Sequence, residues 1–246
     1  MDENNAHTRI QEEARHILEA LSTVQPTELF RLPTSITISG PTSSGKTHFA
    51  GQLIHDLRQL GYVINVYIFY GTDQKMFDDF QYTEKYEGLS DLPSVIKKIQ
   101  VLDTETDLPP PGSKDRVYNL VIIDDLMNEA TTDKYVKDVI TRGVSHQGIS
   151  LIIMYQNMLP QAKWAVTIAQ NVHYKVFFYN TQAAGQFKHV TARMAHGKHT
   201  LRAMYDKLSQ DVGQGRPRVP LVVDTVEHRA WYGLEPSVII YLANKP

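Results

Sequence analysis

The stretch GPTSSGKT, residues 40–47, has the pattern of a complete phosphate-binding loop. Its flanks fit that interpretation, because a β-rich run, SITIS at 35–39, precedes it and apolar residues at helical spacing, 49–60, follow it. In such a loop consecutive backbone N–H groups turn toward phosphate oxygens, and the glycines permit a turn that side chains would obstruct. The stretch therefore predicts a nucleoside triphosphate as the ligand.

Positions of this loop have distinct predicted roles. The backbone N–H groups of residues 42–47 are expected to surround the phosphates, Lys46 to reach the β- and γ-phosphates, and the Thr47 hydroxyl to bind Mg²⁺. The alternative is a glycine-rich turn with a structural role only. The predicted ATP-binding residues are Gly40, Pro41, Thr42, Ser43, Ser44, Gly45, Lys46 and Thr47.

A second motif, NLVIIDDL at 119–126, is apolar enough for a buried central strand and ends in two carboxylates, which is a Walker B pattern. Mg²⁺ prefers oxygen ligands and keeps part of its water shell, so Asp124 is predicted to hold it, usually through water. Asp125 is the candidate that orients or deprotonates the attacking water. Paired acids here can instead begin a turn or cap a helix. The phosphate loop upstream favours the metal-binding interpretation.

A third motif, GISLIIMYQN at 148–157, is another apolar run that ends in a side-chain amide. Gln156 can contact the γ-phosphate and the catalytic water together, because an amide offers both a donor and an acceptor. A strand-end glutamine bonded to nearby backbone is the alternative. Upstream, Arg142 is a candidate arginine finger that reaches the ATP of a neighbouring subunit. It can equally be a solvated arginine that stabilises a helix end.

The alternation of strand-like and helical patterns predicts an α/β fold with a mostly parallel central sheet and helices on both faces. An apolar helical stripe from Ile10 to Leu21 predicts a helical lead-in over 1–30, which contacts a neighbouring subunit or packs on its own domain. One domain then spans 31–246. A proline-rich polar stretch, 103–115, is expected to be a surface loop. The predicted strands are 63–70, 99–102, 120–124, 149–155 and 173–179.

Composition narrows the class of protein. The chain has 246 residues, a formal charge of -2 and 42% hydrophobic residues, as in an ordinary globular protein with one sizeable core. Cysteine is absent, which excludes disulfides and thiolate metal sites. The polar, acidic start does not have the pattern of a signal peptide, and the apolar runs are shorter than the about 18 residues of a membrane span. We therefore expect an intracellular protein without a membrane span.

The three motifs, in this order and spacing, resemble the FtsK-HerA class of P-loop ATPases and, within it, viral DNA-packaging ATPases. In particular they are similar to those of Maverick/Polinton and adintovirus-like elements, which are related to the poxvirus-type packaging ATPase. The likeness extends from Leu32 onward and is most specific over 119–180, which includes NLVIIDDLMNEA and TRGVSHQGISLIIMYQNMLPQAKW. Many relatives have Glu where this chain has Asp125, whose side chain is one methylene shorter, so its reach depends on the backbone.

The resemblance implies a RecA/ASCE-like P-loop NTPase fold in which the strand before Gln156 lies between the phosphate-loop strand and the Walker B strand. That position makes Gln156 a sensor of the γ-phosphate. The resemblance also implies ATP and Mg²⁺ as cofactors and a homo-oligomeric ring, most often a hexamer, that moves double-stranded DNA into a preformed viral capsid. The capsid, or its packaging vertex, would be the partner, and the site of virion assembly in the host cell the location.

The residues themselves indicate DNA contact less directly. The stretch 188–202 contains basic residues and no acid, so it can form a local surface that follows phosphates, or simply a solvated helix face. No cysteine or carboxylate pattern completes a metal site with its histidines at 189, 196 and 199, so we predict none there. The candidate DNA-binding residues are Lys188, Arg193, Lys198 and Arg202.

Most other functions of proteins with a phosphate loop are disfavoured, because the sequence lacks the motifs that they require. A GTPase would need an Asn-Lys-x-Asp motif, and the pair Asn244-Lys245 is followed only by Pro246. A nucleotide kinase would have an arginine-rich lid, which is not evident here. A conjugation or secretion pump of the same class would carry a membrane anchor. A nucleotide-gated capsid assembly factor without processive motion stays open, because binding residues and motor residues overlap.

Overall fold

The computed structural model describes residues 29–104, 109–144, 148–158, 163–181, 184–192, 197–215, 218–234 and 239–242. Over these residues the chain forms one sheet of nine strands. The strands are β1 (Ser35–Ser39), β2 (Val63–Tyr70), β3 (Glu84–Glu87), β4 (Val117–Asp124), β5 (Ile149–Tyr155), β6 (Tyr174–Phe177), β7 (Leu221–Asp224), β8 (Arg229–Tyr232) and β9 (Ile239–Tyr241).

Helices connect most of these strands. The described helices are α1 (Lys46–Gln59), a 3₁₀ helix (Lys75–Phe80), α2 (Leu92–Thr104), α3 (Met127–Thr132), α4 (Lys134–Asp138), a π-helical turn (Val139–Gly143), α5 (Ala165–Asn171), α6 (Ala184–Ala192) and α7 (Lys198–Gly213).

The sheet has the order β3-β2-β4-β5-β1-β6-β7-β8-β9. The strands from β3 to β6 are parallel, and β7, β8 and β9 continue the sheet antiparallel. Parallel neighbours need a crossover connection, so helices cover the faces of this part of the sheet. The predicted α/β fold with a mostly parallel sheet is confirmed.

The central strand β4 shows how both faces are buried. Leu120 and Ile122 belong to the apolar cluster on the α1 side, whereas Val121 and Ile123 belong to the cluster on the α2 side. Successive side chains of a strand point to opposite faces, so a strand covered on both sides must be apolar at consecutive positions. This explains why the run NLVIID is continuous rather than alternating.

One predicted strand is wrong. The segment 99–102 lies inside helix α2. In this helix Leu92, Val95, Ile96 and Ile99 are buried against the sheet, and their spacing of three and four residues is helical. The short β-branched run around Ile99 suggested a strand only because the preceding apolar positions were left out of the pattern.

The other predicted elements agree closely with the structure. Strands β2 and β5 have the predicted bounds, while β4 begins earlier than predicted and β6 is shorter. The predicted loop 103–115 begins with the last two residues of α2, continues as turns over 109–115, and includes 105–108, which lie outside the described residues. The lead-in helix lies outside them too, so the boundary at residue 30 stays a prediction. Phe30 itself packs on Tyr174, with ring centroids 4.8 Å apart.

A third apolar cluster covers the β6–β8 part of the sheet with α6 and α7. Phe187 of α6 stacks on Tyr205 of α7, with ring centroids 4.1 Å apart, and meets Phe177 of β6 edge-on at 5.1 Å. Aromatic pairs of this geometry add to the energy of burial. They hold the two helices against the sheet next to its antiparallel strands.

His173, the residue before β6, predicts a pH-dependent stability. Burial lowers its pKa below the ordinary 6.5, although the nearby carboxylate of Asp224 opposes the shift. The unfolded chain therefore binds a proton more readily, and stability present above about pH 6.5 is lost as the pH falls toward the folded-state value. When the pH is lowered from 7.5 to 5.5, the free energy of unfolding measured with urea should fall less in His173→Gln than in the parent. Equal losses would contradict this cause.

Candidate nucleotide-binding and catalytic site

The three sequence motifs meet at one edge of the sheet. The phosphate loop follows β1, Asp124 ends β4, and Gln156 follows β5, which lies between those two strands. Because the three strands are parallel, their carboxyl ends face the same side, where ligands of open α/β sheets bind. The predicted place of the Gln156 strand, between the phosphate-loop strand and the Walker B strand, is confirmed.

The phosphate loop is closed by its own lysine. Lys46 Nζ donates hydrogen bonds to the carbonyl oxygens of Gly40 and Pro41, each at 2.9 Å. The Gly40 N–H donates to the carbonyl of Tyr155 at 3.1 Å, which ties the loop to β5. The lysine thus lies over the loop, and its role in phosphate binding stays a prediction.

The electrostatics at Lys46 fit an anionic ligand. Burial lowers the pKa of Lys46, and the carboxylates of Asp124 and Asp125 offset this only in part. The charged ammonium of Lys46 is therefore less favoured than it would be in water. Phosphate oxygens next to Nζ would raise this pKa.

The shape of the loop fits a phosphate as well. Gly45 has a left-handed backbone with φ of 103° immediately before α1. A Cβ on Gly40 would lie 2.6 Å from Phe178 Cβ and 2.7 Å from Ser44 Oγ, so this position requires glycine. The buried Ser44 Oγ has no hydrogen-bond partner among the described residues. An unpaired buried hydroxyl costs free energy, and a phosphate oxygen would supply its partner.

The two predicted metal-binding residues lie side by side. Thr47 Oγ1 is 3.5 Å from Asp124 Oδ2. Asp124 is buried, and this burial raises its pKa, while the ammonium of Lys46 opposes the shift. Two oxygen donors are what Mg²⁺ needs from the protein when substrate phosphates and waters complete its shell. The donor set therefore fits Mg²⁺.

Asp125 has an unusual backbone that aims its carboxylate into the site. Its φ is 57°, in the left-handed region that Asp tolerates better than most residues. Gln156 Nε2 donates to its Oδ1 at 2.9 Å, and Thr72 Oγ1 donates to its Oδ2 at 3.0 Å. A Cβ on Gly71 would lie 2.6 Å from the Asp125 carbonyl oxygen. The structure thus brings together the candidate base and the candidate sensor, whose roles stay predictions.

The sequence motifs missed several residues that contact the site. Thr72 and Gln74 lie in the turn GTDQ that follows β2, and Arg218 Nη1 donates to the Ser43 carbonyl at 3.3 Å. A polar turn after a predicted parallel strand was a usable signal for the first two, because β2 ends at the same edge of the sheet. Nothing local in the sequence pointed to Arg218.

A groove of about 390 Å³ runs beside the phosphate loop. It lies between the outer side of α1 and the segments that lead into β7 and follow β8. Its walls include His48, Gln52, Phe178, Arg218, Tyr232 and Leu234. The groove adjoins the loop, so it is a candidate place for the nucleoside part of a ligand whose phosphates lie on the loop.

Arg142 lies apart from this site. It belongs to the π-helical turn before β5, its side chain is 69% exposed, and its Nη2 is 3.4 Å from Asp138 Oδ1. The amino end of β5 is at the opposite edge of the sheet from the phosphate loop, because β5 and β1 are parallel. A role for Arg142 in hydrolysis would therefore have to be performed on a neighbouring subunit.

The candidate DNA-binding residues are described only in part. Lys188 is exposed on α6, and Lys198 and Arg202 are exposed one turn apart on α7, whereas Arg193 lies outside the described residues. Among the described residues no group of three or more His, Asp or Glu side chains is placed to hold a metal ion. No helix in the described part of the chain is both long and apolar enough to cross a membrane.

A mostly parallel sheet with a phosphate loop between β1 and α1, and an acidic pair at the end of β4, defines the fold of the P-loop NTPases. The chain is similar to the genome packaging NTPase B204 from Sulfolobus turreted icosahedral virus 2 in complex with AMPPCP, with TM-score 0.55 and 11% identity over 81% of this chain and 96% of that one. It is also similar to B204, the DNA-packaging ATPase from Sulfolobus Turreted Icosahedral Virus, with TM-score 0.54 and 12% identity over 83% and 98%.

A bacterial protein shares the same fold. Thermomonospora curvata EccC (ATPases 2 and 3), in complex with a signal sequence peptide, has TM-score 0.50 and 12% identity over 87% of this chain and 37% of that one. No protein-family model matches the chain, and no curated protein matches it. At these identities the likeness establishes the fold.

Proposed function

We propose that this chain is a Mg²⁺-dependent ATPase that moves double-stranded DNA during viral genome packaging. The observation that carries the ATPase part is the 2.9 Å hydrogen bond between Gln156 and Asp125 at the sheet edge that holds the phosphate loop. It joins a group that can accept a proton to one that can orient a water and a phosphate oxygen. This pair favours hydrolysis over nucleotide binding alone.

Each side chain of the site has a specific task in hydrolysis. Lys46 would bind the β- and γ-phosphate oxygens in place of its present carbonyl partners. Thr47 and Asp124 would hold Mg²⁺, which when bound neutralises charge on the phosphates. Asp125 would take the proton of the attacking water, and Gln156 would orient that water against the γ-phosphate. The Thr72 hydroxyl holds the Asp125 carboxylate in place from the other side.

Two observations support the proposed role in genome packaging. Two of the solved structures with this fold are described as viral packaging enzymes, and the likeness covers 96% and 98% of their chains. The order of the motifs in the sequence resembles viral packaging ATPases as well. By this resemblance the chain would assemble as a homo-oligomeric ring, with a hexamer as the expected size. The ring would act at a viral capsid or its packaging vertex, at the site of virion assembly in the host cell.

DNA-dependent ATPase activity tests this function. The rate of ATP hydrolysis should rise on addition of long linear double-stranded DNA, and the stimulation should fall steeply as salt is increased, because contacts to DNA phosphates release counterions. The double variant Lys198→Glu/Arg202→Glu should reduce the stimulation and keep the basal rate. Lys134→Glu reverses an exposed charge on α4 as a matched control and should change neither.

The same assay separates the alternatives. A basal rate that DNA does not change at any salt concentration would contradict a translocase and favour a nucleotide-gated assembly factor. Absence of hydrolysis in the parent protein, with ATP still bound, would contradict the ATPase itself.

A further inference from the structure

Gln74 bridges the two residues that would hold the metal ion. Its Nε2 donates to Asp124 Oδ2 at 2.8 Å, and its Oε1 accepts a hydrogen bond from Thr47 Oγ1 at 3.2 Å. The three residues come from the turn after β2, the end of β4 and the first turn of α1. The amide therefore lies at the place where Thr47 and Asp124 converge.

The backbone at Gln74 is anchored independently of this contact. The Gln74 carbonyl accepts a hydrogen bond from the Phe77 N–H at 2.9 Å, and Phe77 and Phe80 of the 3₁₀ helix are buried. Arg58 of α1 holds the Phe80 carbonyl at 2.6 Å and the Gln81 carbonyl at 3.1 Å. The backbone at Gln74 is therefore held by contacts other than the bond of its side chain to Asp124.

The two hydrogen bonds of this amide differ in their compatibility with a metal ion. Thr47 can donate its hydroxyl hydrogen to Gln74 Oε1 and still offer a lone pair to Mg²⁺. The bond to Asp124 would compete, because a water bound to Mg²⁺ would need the same carboxylate as its acceptor. The amide N–H of Gln74 would then occupy the acceptor that such a water needs.

We propose that Gln74 is a positioning residue of the metal site, whose amide satisfies Asp124 in the nucleotide-free chain and yields that acceptor to hydrated Mg²⁺ when the nucleotide binds. The proposal rests on the proposed function, since it concerns the same site. A buried carboxylate needs hydrogen-bond donors, and the Gln74 amide supplies one in addition to the Asp125 N–H. A neutral amide meets this need without adding charge, and it can leave.

The variant Gln74→Met tests this exchange, because methionine keeps the length of the side chain but cannot donate a hydrogen bond. The measurement is the affinity for AMPPCP with excess Mg²⁺ divided by the affinity with EDTA. This ratio should rise by about three- to tenfold in the variant, since Mg²⁺ no longer displaces a hydrogen bond. Without nucleotide, the Tm should fall by about 2 to 4 °C.

Gln170→Met, a change of an exposed glutamine on α5, is the matched control and should alter neither quantity. A lower Tm in Gln74→Met with an unchanged or smaller affinity ratio would mean a structural role only and would overturn the proposal. Failure of the parent protein to bind AMPPCP at all would overturn the proposed function instead. A rise in the affinity ratio in Gln74→Met, with no rise in Gln170→Met, supports the exchange.

Discussion

Lys46→Ala should abolish detectable ATP binding, whereas Asp125→Asn should bind ATP within about threefold of the parent and lose turnover by about 100- to 10,000-fold. The lysine is the group that would contact the phosphates of the bound nucleotide, so its removal acts on the ground state. Asp125 acts on the water, and asparagine removes its basicity. Asparagine also tolerates a φ of 57°, so the substitution adds little backbone strain.

Nucleotide titration by calorimetry and steady-state phosphate release measure the two effects separately. Asp115→Asn and Lys134→Ala change exposed residues away from the carboxyl ends of the strands and should leave binding and turnover unchanged. If Asp125→Asn hydrolysed ATP at the parental rate, Asp125 would not be the base. If Lys46→Ala bound ATP normally, the loop would not be the phosphate site.

Mixing two inactive variants should restore ATPase activity if catalysis is completed across a subunit boundary. Arg142→Ala subunits keep Asp125, and Asp125→Asn subunits keep Arg142, so some interfaces of a mixed ring would contain both intact groups. An arginine finger is worth about 10³- to 10⁵-fold in rate, so even a minority of such interfaces gives a measurable signal. The location of Arg142, away from its own phosphate loop, requires this arrangement if the residue acts at all.

Assembly of both variants has to be verified by light scattering with ATP and DNA present. The loss of Arg142 should be tolerated locally, because Asp138 keeps its 2.9 Å contact with Lys137. Parental activity in Arg142→Ala alone would rule out the finger role, and a fully active monomer would rule out the ring. Activity that stays absent in mixtures of assembled variants would contradict completion of the site across a subunit boundary.

Strands β2 and β5 could be predicted with their bounds, because strands buried on both faces must be apolar at consecutive positions, and this is visible locally. The edge strand β3, EKYE, was missed because three of its four residues are charged and none is fully buried. The antiparallel strands β7 to β9 were not predicted either, because they are only three or four residues long and are stabilised by pairing with neighbouring strands. The predicted strand at 99–102 was wrong because its local β propensity is overridden by the longer helical pattern of α2.

The residues of the candidate site also differ in how far they could be predicted from the sequence. The phosphate loop and the acidic pair could be recognised from residues adjacent in sequence, since phosphate binding needs consecutive backbone N–H groups and a particular turn. The contacts of Gln74 with Thr47 and Asp124 join residues 27 and 50 positions apart, and Gln156 meets Asp125 across 31 positions. These contacts depend on the order of the strands in the sheet, because parallel strands bring their carboxyl ends to one edge whatever their separation in sequence.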